Sequence, residues 1–335
     1  MNSTGTAVTN KPLHRIISWR EAPPKVAPFG RTGTGAATGH HGELLQGMFP
    51  GADGRHHRGL VTLPLVGWES IASFRADAAP GSGQVTVHPQ NKAKARRAAE
   101  LTIERCAART GTTAVNGHLT IDTALESGLG MGASTCDVVA AIRAVADCYH
   151  TRLTPQEVGE LSVLAEQASD SIMIEDLAVL FAHREGVVLE YLGAELPPVV
   201  VVGCLAGAER TVDTLALRPA EFDAAELARF PVLLAALRRG VLTGDLALIG
   251  RVATASARIN QRFLEKPELE TLIGIAVECG AAGVQIAHSG SVAGVLFDPT
   301  RETVRADVER CVEAVVAAGI TYTATFDPTV VRAAL

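Results

Sequence analysis

The run Gly128, Leu129, Gly130, Met131, Gly132, Ala133, Ser134 and Thr135 is the segment of this chain best suited to hold an anion. It lies between a predicted strand at 119–123 and a predicted helix. Successive glycines permit positive φ and close backbone approach, and loop amides beside a helix N-terminus offer partial positive charge to a phosphate. A lysine-bearing P-loop is excluded, because no lysine follows the last glycine. Gly128, Gly130 and Ala133 satisfy a loose dinucleotide pattern, but that fold needs a strand with a terminal acidic residue after the helix. A second helix follows here instead, opened by Thr154, Pro155 and Glu157 as a capping box with proline in the first turn. The plain alternative is a tight turn in which Ser134 and Asp137 form an N-cap pair.

Other side chains could act beside such a loop. Glu166 and Asp170 are four residues apart, so a continuing helix would turn both toward one cleft, where Asp170 could accept a proton from a substrate hydroxyl. Ion pairing or exposure is the competing reading. His40, His41, His56 and His57 invite a metal, yet adjacent histidines on a strand point to opposite faces and no cysteine or third spaced ligand joins them. With Arg55 and Arg58, the same region suits an anionic substrate group. A second glycine and serine turn contains His288, Ser289, Gly290 and Ser291, whose hydroxyls and amides suit a substrate or its phosphates, or form only a hairpin.

The elements that must position these residues are legible in the pattern. Strands are predicted at 60–66 and 69–74 around Gly67, then at 84–88, 119–123, 186–192, 199–204, 284–287, 292–297 and 321–326. Helices are predicted at 92–109, with a solvated basic face, and after the glycine run, where Val138, Ile142 and Val145 share a face. Others follow at 220–239, 242–260, 267–279 and 303–318. Strict βαβ alternation is missing, so the expected class is α+β in two domains, 29–196 and 197–335, behind a flexible leader at 1–28.

Composition narrows the partners. Aromatic residues make up 4% of the 335 positions and the formal charge is −6, which argues against stacking platforms and phosphate-backbone contacts for nucleic acid. The leader lacks a secretory apolar segment, and the most apolar stretch, 197–208, is too short to span a bilayer. Six cysteines without CxxC or zinc spacing read as free buried thiols in a reducing cytoplasm. The expected protein is soluble and cytoplasmic, with no nucleic-acid or membrane partner.

Three separated segments, Gly42-Glu43-Leu44-Leu45-Gln46-Gly47, Gly128 to Asp137, and Ala287-His288-Ser289-Gly290-Ser291-Val292-Ala293-Gly294, resemble the ordered motifs of the GHMP small-molecule kinases. The first and third are most similar to its L-threonine kinase branch. The resemblance implies an N-terminal ribosomal protein S5-like domain and a C-terminal ferredoxin-like domain, with ATP between them. It implies Ser134 and Glu166 as ligands of Mg2+, and a substrate-side or inter-motif role for Glu43 and Gln46. Where the branch carries Glu-Pro-Thr-Asp, this chain reads Glu166-Gln167-Ala168-Ser169-Asp170; anchored on Asp170, the match would put Gln167 in the place of the family's Glu. Ala133 replaces the first serine of the middle motif, and Leu129 stands where that branch often has lysine. The implied activity is phosphorylation of a small hydroxy amino acid, L-threonine first; a homodimer is the candidate assembly. The alternatives are serine, homoserine or another small hydroxylated metabolite as acceptor, or a homologue that binds nucleotide without catalysis.

Overall fold

A computed structural model describes residues 27–123, 125, 129–207, 222–288 and 290–328. Most of the expected leader, together with Gly128 and Ser289, lies outside the described residues. The backbone of the molecule is a long antiparallel pair, β1 (Thr32–Pro50) and β2 (His56–Pro80), in register from Thr32↔Arg75 to Pro50↔His56. The two strands predicted around Gly67 are one: a bulge between Thr38↔Glu69 and His40↔Pro64 absorbs the glycine without ending the strand.

β1 has no counterpart among the predicted strands, since five of its nineteen residues are glycine. Packing on a helix explains two of them. Helix α2 (Ala133–Cys148) lies directly on the strand, and a Cβ at Gly35 or Gly33 would overlap the α2 backbone at Ala140 or Ala144. Close backbone approach excludes any side chain at those positions. The first helix after the glycine run is therefore a central helix: thirteen of its sixteen residues are buried, more than the single face carrying Val138, Ile142 and Val145. Each of those three side chains contributes roughly 1.5–3 kcal/mol on full burial.

On the far side of β2 lie β4 (Val115–Thr123), antiparallel to it, and β3 (Val85–His88), parallel to β4. Helix α1 (Ala93–Thr110) packs on α2 and on α3 (Pro155–Glu166). The capping box forms as predicted: Thr154 accepts from the Glu157 amide, and the Glu157 carboxylate receives the Thr154 amide. A short hairpin, β5 (Val179–Ala182) and β6 (Val187–Tyr191), joins β2 at Gly59↔Ala182; β5 is a second strand that the pattern does not announce.

β7 (Val200–Leu205), α4 (Ala224–Thr243), α5 (Leu246–Asn260), α6 (Leu269–Glu278), β8 (Gly283–Ile286), β9 (Val292–Phe297), α7 (Val304–Ala317) and β10 (Thr321–Phe326) follow in order. Their strands run β10-β7-β9-β8, and β8 meets β1 at Glu43↔Ile286, so one path continues to β2, β4 and β3. A second apolar cluster, including Val202, Leu272, Val295 and Val315, lies between these strands and α6 and α7. All six cysteines are buried and free. No helix among the described residues is long and apolar enough to cross a membrane.

Candidate active site

The glycine run opens α2. Gly132 is its N-cap with φ 71, a left-handed conformation, and a Cβ there would overlap the His40 ring. No side chain caps the helix and no acidic residue sits in its first turn, so the amides of that turn are open to an anion. The expected Ser134–Asp137 cap pair does not form. Asp137 is engaged by Lys92 Nζ at 2.6 Å and by the Ser70 hydroxyl at 2.5 Å. Ser134 Oγ instead donates to Glu166 Oε2 at 2.9 Å. The basic face expected for α1 is solvated, with Lys94, Arg96 and Arg97 exposed, and Lys94 Nζ also stands 3.9 Å from Glu166 Oε2.

Glu166 ends α3 with its carboxylate buried, and Gln167 caps the helix in a left-handed turn with its side chain exposed. The geometry therefore turns Glu166, rather than Gln167, toward Ser134. The helix does not continue to Asp170 as the four-residue spacing requires. The irregular segment after Gln167 brings it back instead, so that Thr135 Oγ1 lies 2.9 Å from Glu166 Oε1 and 3.2 Å from Asp170 Oδ2. Burial pushes the Glu166 carboxyl up to about 7 against the pull of Lys94. A buried pair of carboxylate oxygens beside a serine hydroxyl is a hard-oxygen donor set of the kind that suits Mg2+.

Asp170 Oδ2 also meets His40 Nε2 at 2.9 Å, while Oδ1 has no hydrogen-bond partner among the described residues. Burial opposes the charge on each, but their mutual attraction prevails: His40 is raised to about 9 and Asp170 held down at about 2. The four histidines do not assemble around a metal. His41 turns the other way to Gln285 and the Phe326 ring, His56 is exposed, and His57 sits between Asp53 and Glu185. His40 does come within 4.8 Å of ligand atoms on Glu43 and Asp170, where its imidazolium supplies the positive charge.

Gly39 to Gly47 belong to β1, and that strand joins the other two motifs. Glu43 is 3% exposed and accepts the backbone N–H of His288; burial raises it to about 7. Gln46 Oε1 lies 3.1 Å from His288 Nδ1, and Asn260 and Ser256 of α5 hold its backbone. In the third motif, Gly290 has φ 114, and a Cβ there would fall 2.5 Å from Gly130 Cα. The amides of Ser291 and Val292 both donate to the Leu129 carbonyl at 3.1 Å, and buried Lys266 donates to the Gly290 carbonyl at 2.6 Å. Gly130, Met131, Gly132, Ala133, Ser134, Thr135, Glu166, Asp170, Glu43, Gln46, His288, Gly290 and Ser291 thus form one connected region. His40, Lys94 and Lys266 join them from outside the motifs; no local spacing marks them, because their partners are brought up by the fold.

Fold and site define a class. The family models "GHMP kinases N terminal domain" and "GHMP kinases C terminal" match residues 93–179 and 233–315, and the chain belongs to the GHMP kinase superfamily, with its two-domain fold. Among curated proteins, the L-threonine kinase of Citrobacter freundii is 29% identical over 177 residues, which is 52% of this chain and 60% of that protein's length. Among solved structures, homoserine kinase from Cytophaga hutchinsonii superposes with a TM-score of 0.62 at 14% identity, covering 89% of this chain and 96% of that one. Mevalonate kinase from Staphylococcus aureus gives 0.56 at 18% identity, covering 89% and 99%.

Proposed function

We propose that this chain transfers the γ-phosphoryl group of ATP, with Mg2+, to the hydroxyl of a small amino acid: L-threonine first, serine or homoserine next. The observation that carries this reading is the convergence of Ser134, both oxygens of Glu166, and Asp170 on the uncapped first turn of α2. Phosphoryl transfer asks the protein mainly to position two oxygens and balance moving charge. The amides of Ala133, Ser134 and Thr135 hold the phosphates at the helix start. Ser134 and Glu166 would hold Mg2+, which when bound neutralises phosphate charge. Asp170 accepts the acceptor hydroxyl through Oδ1, orients its oxygen and takes its proton as the new ester bond forms. His40 and Thr135 fix the carboxylate while it waits. Glu43 and Gln46 hold the third motif over the same space. Incubation with MgATP and a panel of hydroxy amino acids is expected to yield ADP and one phospho-amino acid. ADP release no faster than without acceptor, across the panel, would remove the reading.

A further inference from the structure

Most cations around this site have partners. His57 lies between Asp53 at 2.8 Å and Glu185 at 3.1 Å, Lys92 pairs with Asp137, and Lys266 with a carbonyl. Arg58 differs: its half-buried guanidinium has no carboxylate partner among the described residues. Its Nη2 lies 3.3 Å from His288 Nδ1, which also faces Gln46 Oε1 at 3.1 Å. That nitrogen can donate to Gln46 or accept from Arg58, but not both, so one of the two is left short.

The residue opposite Arg58 is short of a partner too. The Gly59↔Ala182 register brings His183 opposite Arg58, and His183 Nδ1 lies 3.2 Å from the Arg58 carbonyl. His183 is 3% exposed, its ring stands 5.0 Å from that of His288, and its Nε2 is buried without a partner. Arg184 follows on the exposed turn. Burial and then Arg184 lower Arg58 to about 10, while burial and then Arg58 lower His183 to about 4. None of the three side chains Arg58, His183 and His288 has a carboxylate hydrogen-bonded to its own polar atoms among the described residues. The acids Glu43 and Asp170 lie beyond His288, one of them bonded to its backbone. A zwitterion fits that polarity, ammonium toward the acids and carboxylate toward the arginine, whose planar fork matches two carboxylate oxygens.

We propose that Arg58, backed by Arg184 and flanked by His183 and His288, is the seat of the acceptor's carboxylate, so that the site selects free α-amino acids over their neutral derivatives. This rests on the kinase reading above, and the test separates the two. Calorimetry on the full chain compares L-threonine, L-serine and L-homoserine, each with its carboxamide, alongside ADP release and MgATP affinity. In at least one pair the acid is expected to bind about tenfold or more tightly than the amide. Arg58→Gln is expected to bring the two within about threefold while MgATP affinity holds, as the charge-assisted contact is lost. Arg184→Gln, at an exposed position that folding tolerates, reduces the preference in part. The proposal is overturned by equal binding of acids and amides, by no binding of any acid, or by a preference that survives in Arg58→Gln. Should Arg58→Gln fail to fold, an undiminished preference in Arg184→Gln overturns it. A fall in MgATP affinity with the acid preference intact would assign Arg58 to the nucleotide's phosphates and also overturn it. Acid preference without ADP release would uphold the seat and remove the kinase reading; ADP release with acids and amides used alike does the reverse.

Discussion

Asp170 sits where two demands meet, a fixed carboxylate and a spare oxygen. His40 and Thr135 both occupy Oδ2, leaving Oδ1 without a hydrogen-bond partner among the described residues. Asp170→Asn keeps the shape but loses the charge, and is expected to retain nucleotide binding while turnover falls on the order of 10² to 10⁴-fold. Steady-state kinetics beside nucleotide titration check this; unchanged turnover removes Asp170 from the reaction. The same variant strips His40 of the main charge that raises it, leaving Glu43 and the Gly42 backbone, while burial still opposes protonation. Its titration, followed by NMR of the ring nitrogens, is expected to fall from about 9 toward the ordinary 6.5. In the native chain a raised imidazole stabilises fully below pH 6.5 and loses that contribution as pH climbs through 9. Asp170, depressed from 3.8 to about 2, contributes above 3.8 and loses its share as pH falls through 2. The pair therefore supports the fold best between those limits, about pH 4 to 6.5. A His40 titration near 9 in both proteins would contradict the pairing.

At the scale of elements, the site depends on where turns bring chains together. Gly290 packs on Gly130 with φ 114, so Gly290→Ala is expected to destabilise by about 2 kcal/mol or more through strain and overlap. Gly274 in α6 has an ordinary φ and open space around its Cβ position; Gly274→Ala is expected to stabilise by about 0.5–1 kcal/mol. Thermal or urea melts of the two variants should move in opposite directions, and a shared direction would contradict the close approach of the two turns. Most elements were readable from the pattern because apolar periodicity and caps such as Thr154 and Glu157 are local signals. β1 was not, because its glycines answer to distant residues rather than to any neighbour: Gly33 and Gly35 to α2, a hundred residues further on, Gly42 to Gln285 and Gly47 to Phe230. The segment from Gln167 to Asp170 misleads for a related reason: four-residue spacing implies a helix, but α3 stops at Glu166 and Thr135 draws both carboxylates together. Ser134, Glu166 and Asp170 could be found by motif. Arg58 stands out only as part of a run rich in histidine and arginine that suits an anion; its neighbours His183 and His288 do not, since they stand 125 and 230 positions away in sequence.

For the whole molecule, β1 ties the two halves into one site. It pairs with β2 along its length, meets β8 at Glu43↔Ile286, and sends the Glu43 carboxylate to His288. A net charge of −6 offers a nucleotide no general attraction, so on the proposed reading affinity would have to come from the first turn of α2, Mg2+ and nearby lysines. The first motif acts as a strut between the turns of the second and third. The central claim is that this strut and those turns make a phosphoryl-transfer site for a hydroxy amino acid. Its most direct test is phosphorus NMR of the chain with MgATP and L-threonine, with serine and homoserine in parallel. The account predicts a new phosphomonoester signal, growing in step with ADP and absent in Asp170→Asn. ATP that stays intact, or that yields inorganic phosphate alone whichever amino acid is added, would contradict it.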